Sequence, residues 1–145
     1  MSNSIYLVDN NALSRLTREQ RSSPFFADFC RIPTDVLEEA SGFPDIDQLR
    51  KIEYKTTVSV LERLIEVMKT VPSEDTELVD LYGNKGRADP VIVACALDAH
   101  ADETATLLPQ TIVIVTHDKA VRDKATEFGF IVETSEELAA AIDGA

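Results

Sequence analysis

Four carboxylate positions, each beside a run of apolar residues, are the places where this chain could do chemistry. Asp9 follows Ile5-Tyr6-Leu7-Val8, and Asp118 stands behind Ile112-Val113-Ile114-Val115 with only Thr116 and His117 between. Asp89 opens the apolar stretch Pro90 to Leu97, and the pair Glu38-Glu39 comes shortly after Cys30-Arg31-Ile32. The carboxyl ends of parallel strands form the rim where ligands bind in open α/β sheets. Acids gathered there would offer hard oxygen ligands suited to Mg2+ or Mn2+. Several carboxylates in one small pocket raise one another's pKa and stay ionised only if cations screen them. Two such ions, roughly 3.5–4 Å apart, would acidify a water for attack on phosphorus and stabilise the departing oxygen.

Each acid also has an ordinary structural reading. Asp89 before Pro90 is a good helix N-cap, its carboxylate stabilised by backbone N–H groups and the helix dipole. Asp35 and Glu38 have the spacing of a capping box, which would occupy Glu38 and leave Glu39, about 100° further round the helix, free to face the rim. In a chain with 26 acids, Glu39 also reads as a solvated surface charge. His117 is either a surface histidine or, if the Thr116-His117-Asp118 turn rotates, a group facing the cleft.

Strand and helix signals alternate along the chain. Strands are predicted at Ile5–Val8, Cys30–Ile32, a short piece near Ile52–Thr56, Ile112–Thr116 and Phe130–Val132. Helix starts are predicted at Ser23-Pro24, with serine as N-cap and proline at the first helical position, and at capping boxes beginning at Asp35, Ser59 and Thr134. Within Val60 to Lys69 the residues Leu61, Leu64, Ile65 and Met68 share one face, which predicts an amphipathic helix packed through that face. The segment from Pro90 to Leu97 is apolar all round and belongs in the interior. The alternation predicts a parallel sheet covered by helices.

With 145 residues the chain is expected to be one domain, residues 1–145, large enough for a single core. It shows no basic leader region and no apolar run of membrane-spanning length, so a cytoplasmic protein without a membrane partner is expected. Cys30 and Cys95, lacking CxxC spacing, read as reduced core residues. The net charge of −12 opposes generic binding along a phosphate backbone. It permits a local site where divalent cations cancel carboxylates and receive a phosphate. Arg15 and Arg18 behind Asp9, and Lys85 and Arg87 before Asp89, are the bases nearest in sequence to the rim; they read as phosphate contacts or as solvated charges. Gly83 and Gly86 do not have P-loop spacing.

Taken together, Tyr6-Leu7-Val8-Asp9-Asn10-Asn11-Ala12-Leu13, Ile32-Pro33-Thr34-Asp35-Val36-Leu37-Glu38-Glu39, Gly86-Arg87-Ala88-Asp89-Pro90 through Leu97, and Ile112 through Asp118 resemble the PIN-domain ribonucleases, VapC-like toxins in particular. The resemblance runs over nearly the whole chain in the family's order. It implies a three-layer α/β/α sandwich with a five-stranded parallel sheet of order 3-2-1-4-5. It places the catalytic and metal-binding acids on Asp9, Glu39, Asp89 and Asp118, with Asn11 and Thr116 in support; whether Glu38 or Glu39 is the site acid stays open by one residue. The implied activity is Mg2+- or Mn2+-dependent cleavage of RNA leaving a 5′-phosphate and a 3′-hydroxyl. A homodimer and a small antitoxin covering the cleft are implied partners, and the acidic balance would suit a basic one.

Three other readings compete. A PIN-like scaffold that binds RNA or a protein without cutting shares every motif. A haloacid-dehalogenase-like phosphatase needs a second Asp where Asn11 stands. A receiver-like phosphoacceptor gives no role to Glu39 or to the apolar helix behind Asp89.

Overall fold

The computed structural model describes residues 4–71, 88–103 and 110–145, with the backbone alone at 88, 89, 102 and 103. Its five strands are β1 (Ser4–Val8), β2 (Cys30–Pro33), β3 (Glu53–Tyr54), β4 (Thr111–Val115) and β5 (Ile131–Glu133). They form one sheet in the order 3-2-1-4-5, and every neighbouring pair is parallel. Strand β1 is central, with Val8 opposite Val115, so the turns that follow β1 and β4 leave the sheet side by side. The ladder continues past the strands, the Asp9 amide donating to the Val115 carbonyl at 3.0 Å and the Thr116 amide to the Glu133 carbonyl at 3.1 Å.

Period-two alternation sorts β1 between two cores. Tyr6 and Val8 face one side, with α1 (Asn10–Arg15), α3 (Pro24–Phe29), α4 (Thr34–Glu39) and α9 (Ser135–Asp143); Leu13, Phe26, Val36 and Leu138 are all buried there. Leu7 faces the other side, against α6 (Val58–Lys69), α7 (Ala88–Glu103) and α8 (Lys119–Glu127). The result is the three-layer α/β/α sandwich expected from the resemblance. Short helices α2 (Arg18–Arg21) and α5 (Ile46–Leu49) lie beside the first layer and are joined by a buried ion pair, Arg21 Nε to Asp45 Oδ2 at 2.9 Å. Cys30 and Cys95 are free and buried in different cores. Burial pushes the Cys30 thiol up to about 12. Among the described residues no helix is long and apolar enough to cross a membrane.

Two of the predicted helix starts are displaced, for physical reasons. Helix α6 is capped by Thr57, whose hydroxyl accepts from the Val60 amide at 3.3 Å. Ser59 cannot cap, because its hydroxyl donates to the buried carboxylate of Asp98, which also accepts from the Tyr54 hydroxyl. Helix α4 begins at Thr34 with Pro33 before it and no side-chain cap, so the Asp35–Glu38 capping box is not formed. The Ser23 cap ahead of Pro24 and the Thr134–Glu137 capping box stand as predicted.

The face that α6 buries also differs from the prediction. Val60, Leu64 and Val67 are buried against α7, whereas Leu61 and Ile65 are 47% and 57% exposed. Leu64 belongs to the predicted stripe and to the observed one, and Met68 is partly buried against the same core; Leu61 and Ile65 are turned outward. Helix α7 itself is interior, with Val91, Ile92, Val93, Ala94, Cys95 and Ala96 all buried.

Candidate functional site

Asp9 is the first residue past β1 and is only 2% exposed. Its carboxylate is shared between two jobs. Oδ1 accepts from the Asn10 amide at 2.7 Å, capping α1, while Oδ2 accepts from the Thr116 hydroxyl at 2.8 Å across the gap between β1 and β4. The same Thr116 oxygen accepts from the Asp118 amide at 3.1 Å. One buried hydroxyl thus fixes the Asp9 carboxylate and the backbone of the turn that carries Asp118.

Asp118 occupies the N-cap of α8, Oδ1 accepting from the amides of Ala120 at 2.9 Å and Val121 at 3.3 Å. Its Oδ2 takes no part in that cap. The turn does not rotate to put His117 into the cleft. His117 Nε2 accepts from the Ser135 amide at 3.2 Å and lies 2.8 Å from the Ser135 hydroxyl, tying the turn to the start of α9. With the backbone N–H pointing at Nε2, a neutral ring carries its proton on Nδ1.

Glu39, at the end of α4, is the member of the glutamate pair that approaches Asp9. Its Oε2 lies 3.5 Å from the Asn10 side-chain nitrogen, and its pKa is raised by partial burial, then by the charges of Asp9 and Asp35. Glu38 is exposed. Of the two asparagines behind Asp9, it is therefore Asn10 that links the acids. Asn11, the one suggested by the resemblance, is exposed, and its carbonyl accepts from Ser14 Oγ at 3.0 Å. Helical geometry carries the signal for Asn10: as the first residue of α1, directly after the cap, it sits over the same rim as Asp9.

Asp89 lies within α7, already helical at Ala88, so it is not the N-cap; the Asp89 side chain lies outside the described residues. Lys85 and Arg87 also lie outside them. Arg15 is exposed and 3.9 Å from Glu136, and Arg18 is exposed on α2. The Arg15–Glu136 pair, long and exposed on both sides, is weak.

Among the described residues no three His, Cys, Asp or Glu side chains come close enough together to hold a metal ion. What the fold brings to one rim is Asp9, joined through Thr116 to the Asp118 turn and through Asn10 to Glu39. All the candidate ligands are carboxylate or amide oxygens, the donor type that suits Mg2+ or Mn2+. An enclosed amide oxygen without a partner, Asn10 Oδ1, lies beside them. No profile of a known protein family matches the chain, and no curated protein matches it either.

Proposed function

We propose that this protein is a PIN-like, Mg2+- or Mn2+-dependent endoribonuclease in which Asp9, Glu39, Asp89 and Asp118 form the cation site. The observation that carries the reading is the Asp9–Thr116–Asp118 link. The Asp9 carboxylate, buried at the rim, is held in a fixed direction by the Thr116 hydroxyl and the Asn10 amide, and the same hydroxyl fixes the turn that carries Asp118. A divalent cation is the natural complement of such a group. The raised pKa of Glu39, partly owed to Asp9, points the same way, because a cation between the two would relieve their repulsion.

When bound, the metal ions would supply an acidified water and stabilisation of the leaving oxygen in phosphodiester hydrolysis. The chain's own contribution is to hold the carboxylates. Thr116 fixes Asp9 and Asp118, and Asn10 reaches Glu39. Arg15 and Arg18, with Lys85 and Arg87, would meet phosphates locally despite the overall charge of −12. That charge also suits a small basic antitoxin lying over the cleft, and the reading carries with it a VapC-like toxin acting as a homodimer in the cytoplasm.

The test is incubation of structured RNAs with the protein in Mg2+ or Mn2+, beside Asp9→Asn and Asp89→Asn. Metal-dependent cleavage giving 5′-phosphate ends, reduced roughly a hundredfold or more in both variants, is expected. Equal cleavage by the variants would assign the activity to a contaminant and refute the proposal. A catalytically silent PIN-like module is the second reading, favoured by the lack of a three-ligand cluster among the described residues. It predicts no cleavage by the wild type under any of these conditions.

A further inference from the structure

The side chain of Asn10 has no structural task that its position would ordinarily give it. Asn at the start of a helix commonly caps it, but here Asp9 takes the cap, Oδ1 accepting from the Asn10 amide. The Asn10 side chain turns instead toward the rim, with Nδ2 donating to Glu39 Oε2 at 3.5 Å. That choice fixes the amide's orientation. Were it flipped, the Asn10 and Glu39 oxygens would face each other as two acceptors. Oδ1 is then left enclosed, with no hydrogen-bond partner. A buried acceptor without a donor is unusual and calls for one, and an unplaced water or ligand is a common source.

We propose that Asn10 is a positioning residue of the cation site: Nδ2–H holds the Glu39 carboxylate toward Asp9, and Oδ1 accepts a hydrogen bond from a water on the bound divalent ion. This inference rests on the cation reading of the site given above and adds to it a residue outside the four acids. Both halves of one amide are then used. The donor gives the Glu39 carboxylate a fixed direction on the rim. The acceptor orients the ion's hydration shell, since Mg2+ and Mn2+ keep several waters when bound by few carboxylates. Hydrogen-bonding groups one step out from a metal tune its affinity in this way.

Calorimetric titration of the full chain with Mn2+ tests it, using wild type, Asn10→Ala, Asn10→Leu and Asp9→Asn, with each variant's melting temperature measured in EDTA. Asn10→Leu keeps the volume of the side chain and removes both polar groups. The expected result is an Mn2+ affinity lowered by about ten- to a hundredfold in both Asn10 variants. Their melting temperatures in EDTA should be unchanged or higher, because the enclosed orphan oxygen is gone. Wild-type affinity in both Asn10 variants, with Asp9→Asn still impaired, would overturn the role of Asn10 and leave the cation reading standing. A loss of affinity matched by a lower melting temperature in EDTA would show a structural role and overturn it too. A wild type that binds no Mn2+, or binds it as well after Asp9→Asn, would remove the cation reading and this inference with it.

Discussion

One hydroxyl at Thr116 serves both of the central carboxylate-bearing turns, and that double use makes it the most consequential small side chain on the rim. It donates to Asp9 Oδ2, 107 positions away in sequence, and accepts from the Asp118 amide. Thr116→Val keeps the shape and deletes both bonds. It is expected to destabilise the fold by about 1–3 kcal/mol, because a buried acceptor and a buried N–H lose their partner. RNA cleavage should fall with it, and Thr116→Ser should recover most of both; urea unfolding and the cleavage assay read the two effects. A Thr116→Val protein as stable and active as wild type would show that the link holds nothing. The acids at strand ends were legible in the sequence because an apolar run must stop somewhere and Asp9 and Thr116-His117-Asp118 mark where. Asn10 was not, since neighbouring asparagines offer the same chemistry and only the backbone of α1 decides which one meets Glu39. Glu39 is the glutamate that Asn10 reaches and that the Asp9 charge acts on, although the capping box expected to occupy Glu38 is absent.

Helix α6 shows where element-level reasoning reaches its limit. Its apolar residues form two overlapping stripes at helical spacing, the buried Val60-Leu64-Val67 and the predicted Leu61-Leu64-Ile65-Met68, which share Leu64, and periodicity alone does not rank them. The tie is broken by α7, an interior helix of small residues that packs closely against the first stripe. Leu64→Ala should therefore cost about 2–5 kcal/mol through a lost core contact and the cavity left behind. Ile65→Ala should change stability by no more than about 0.5 kcal/mol beyond its modest loss of burial. Chemical denaturation of the two variants checks the register, and the opposite ranking would contradict it. Strand positions were predicted closely because β1 and β4 are continuous apolar runs with few alternatives. The start of α6 differs from the expectation because Ser59 spends its hydroxyl on Asp98, a partner distant in sequence, and that of α4 because the helix begins at Thr34, which puts Asp35 inside it.

Across the whole molecule the excess of acids sets the response to pH, and its direction depends on which carboxylates the fold favours. The hydrogen bond from Arg21, opposed by burial and aided by Arg21's charge, holds Asp45 below the usual carboxylate range. Its stabilising contribution is complete above the unfolded-state value and is lost as pH falls through the lower folded one. Glu39 and Glu133 are raised, first by burial and then by neighbouring acids. Each therefore favours the fold only while it is protonated, and its penalty develops as pH rises through the ordinary range to its folded value. Urea midpoints measured from acid to neutral pH should rise as Asp45 ionises and then sag slightly as Glu39 and Glu133 do. Arg21→Ala should abolish the first limb, and Glu39→Gln should reduce the sag. The sheet order and three-layer architecture followed from the family resemblance together with the alternation of strands and helices, and the two cores on either side of β1 bear them out. The activity assigned to that architecture depends on cations gathering at its rim. Diffraction from crystals soaked in Mn2+, collected at the manganese absorption edge, addresses this directly. The account predicts anomalous density bounded by Asp9, Glu39, Asp89 and Asp118, whereas an empty rim at saturating Mn2+, or ions bound only elsewhere, would contradict it.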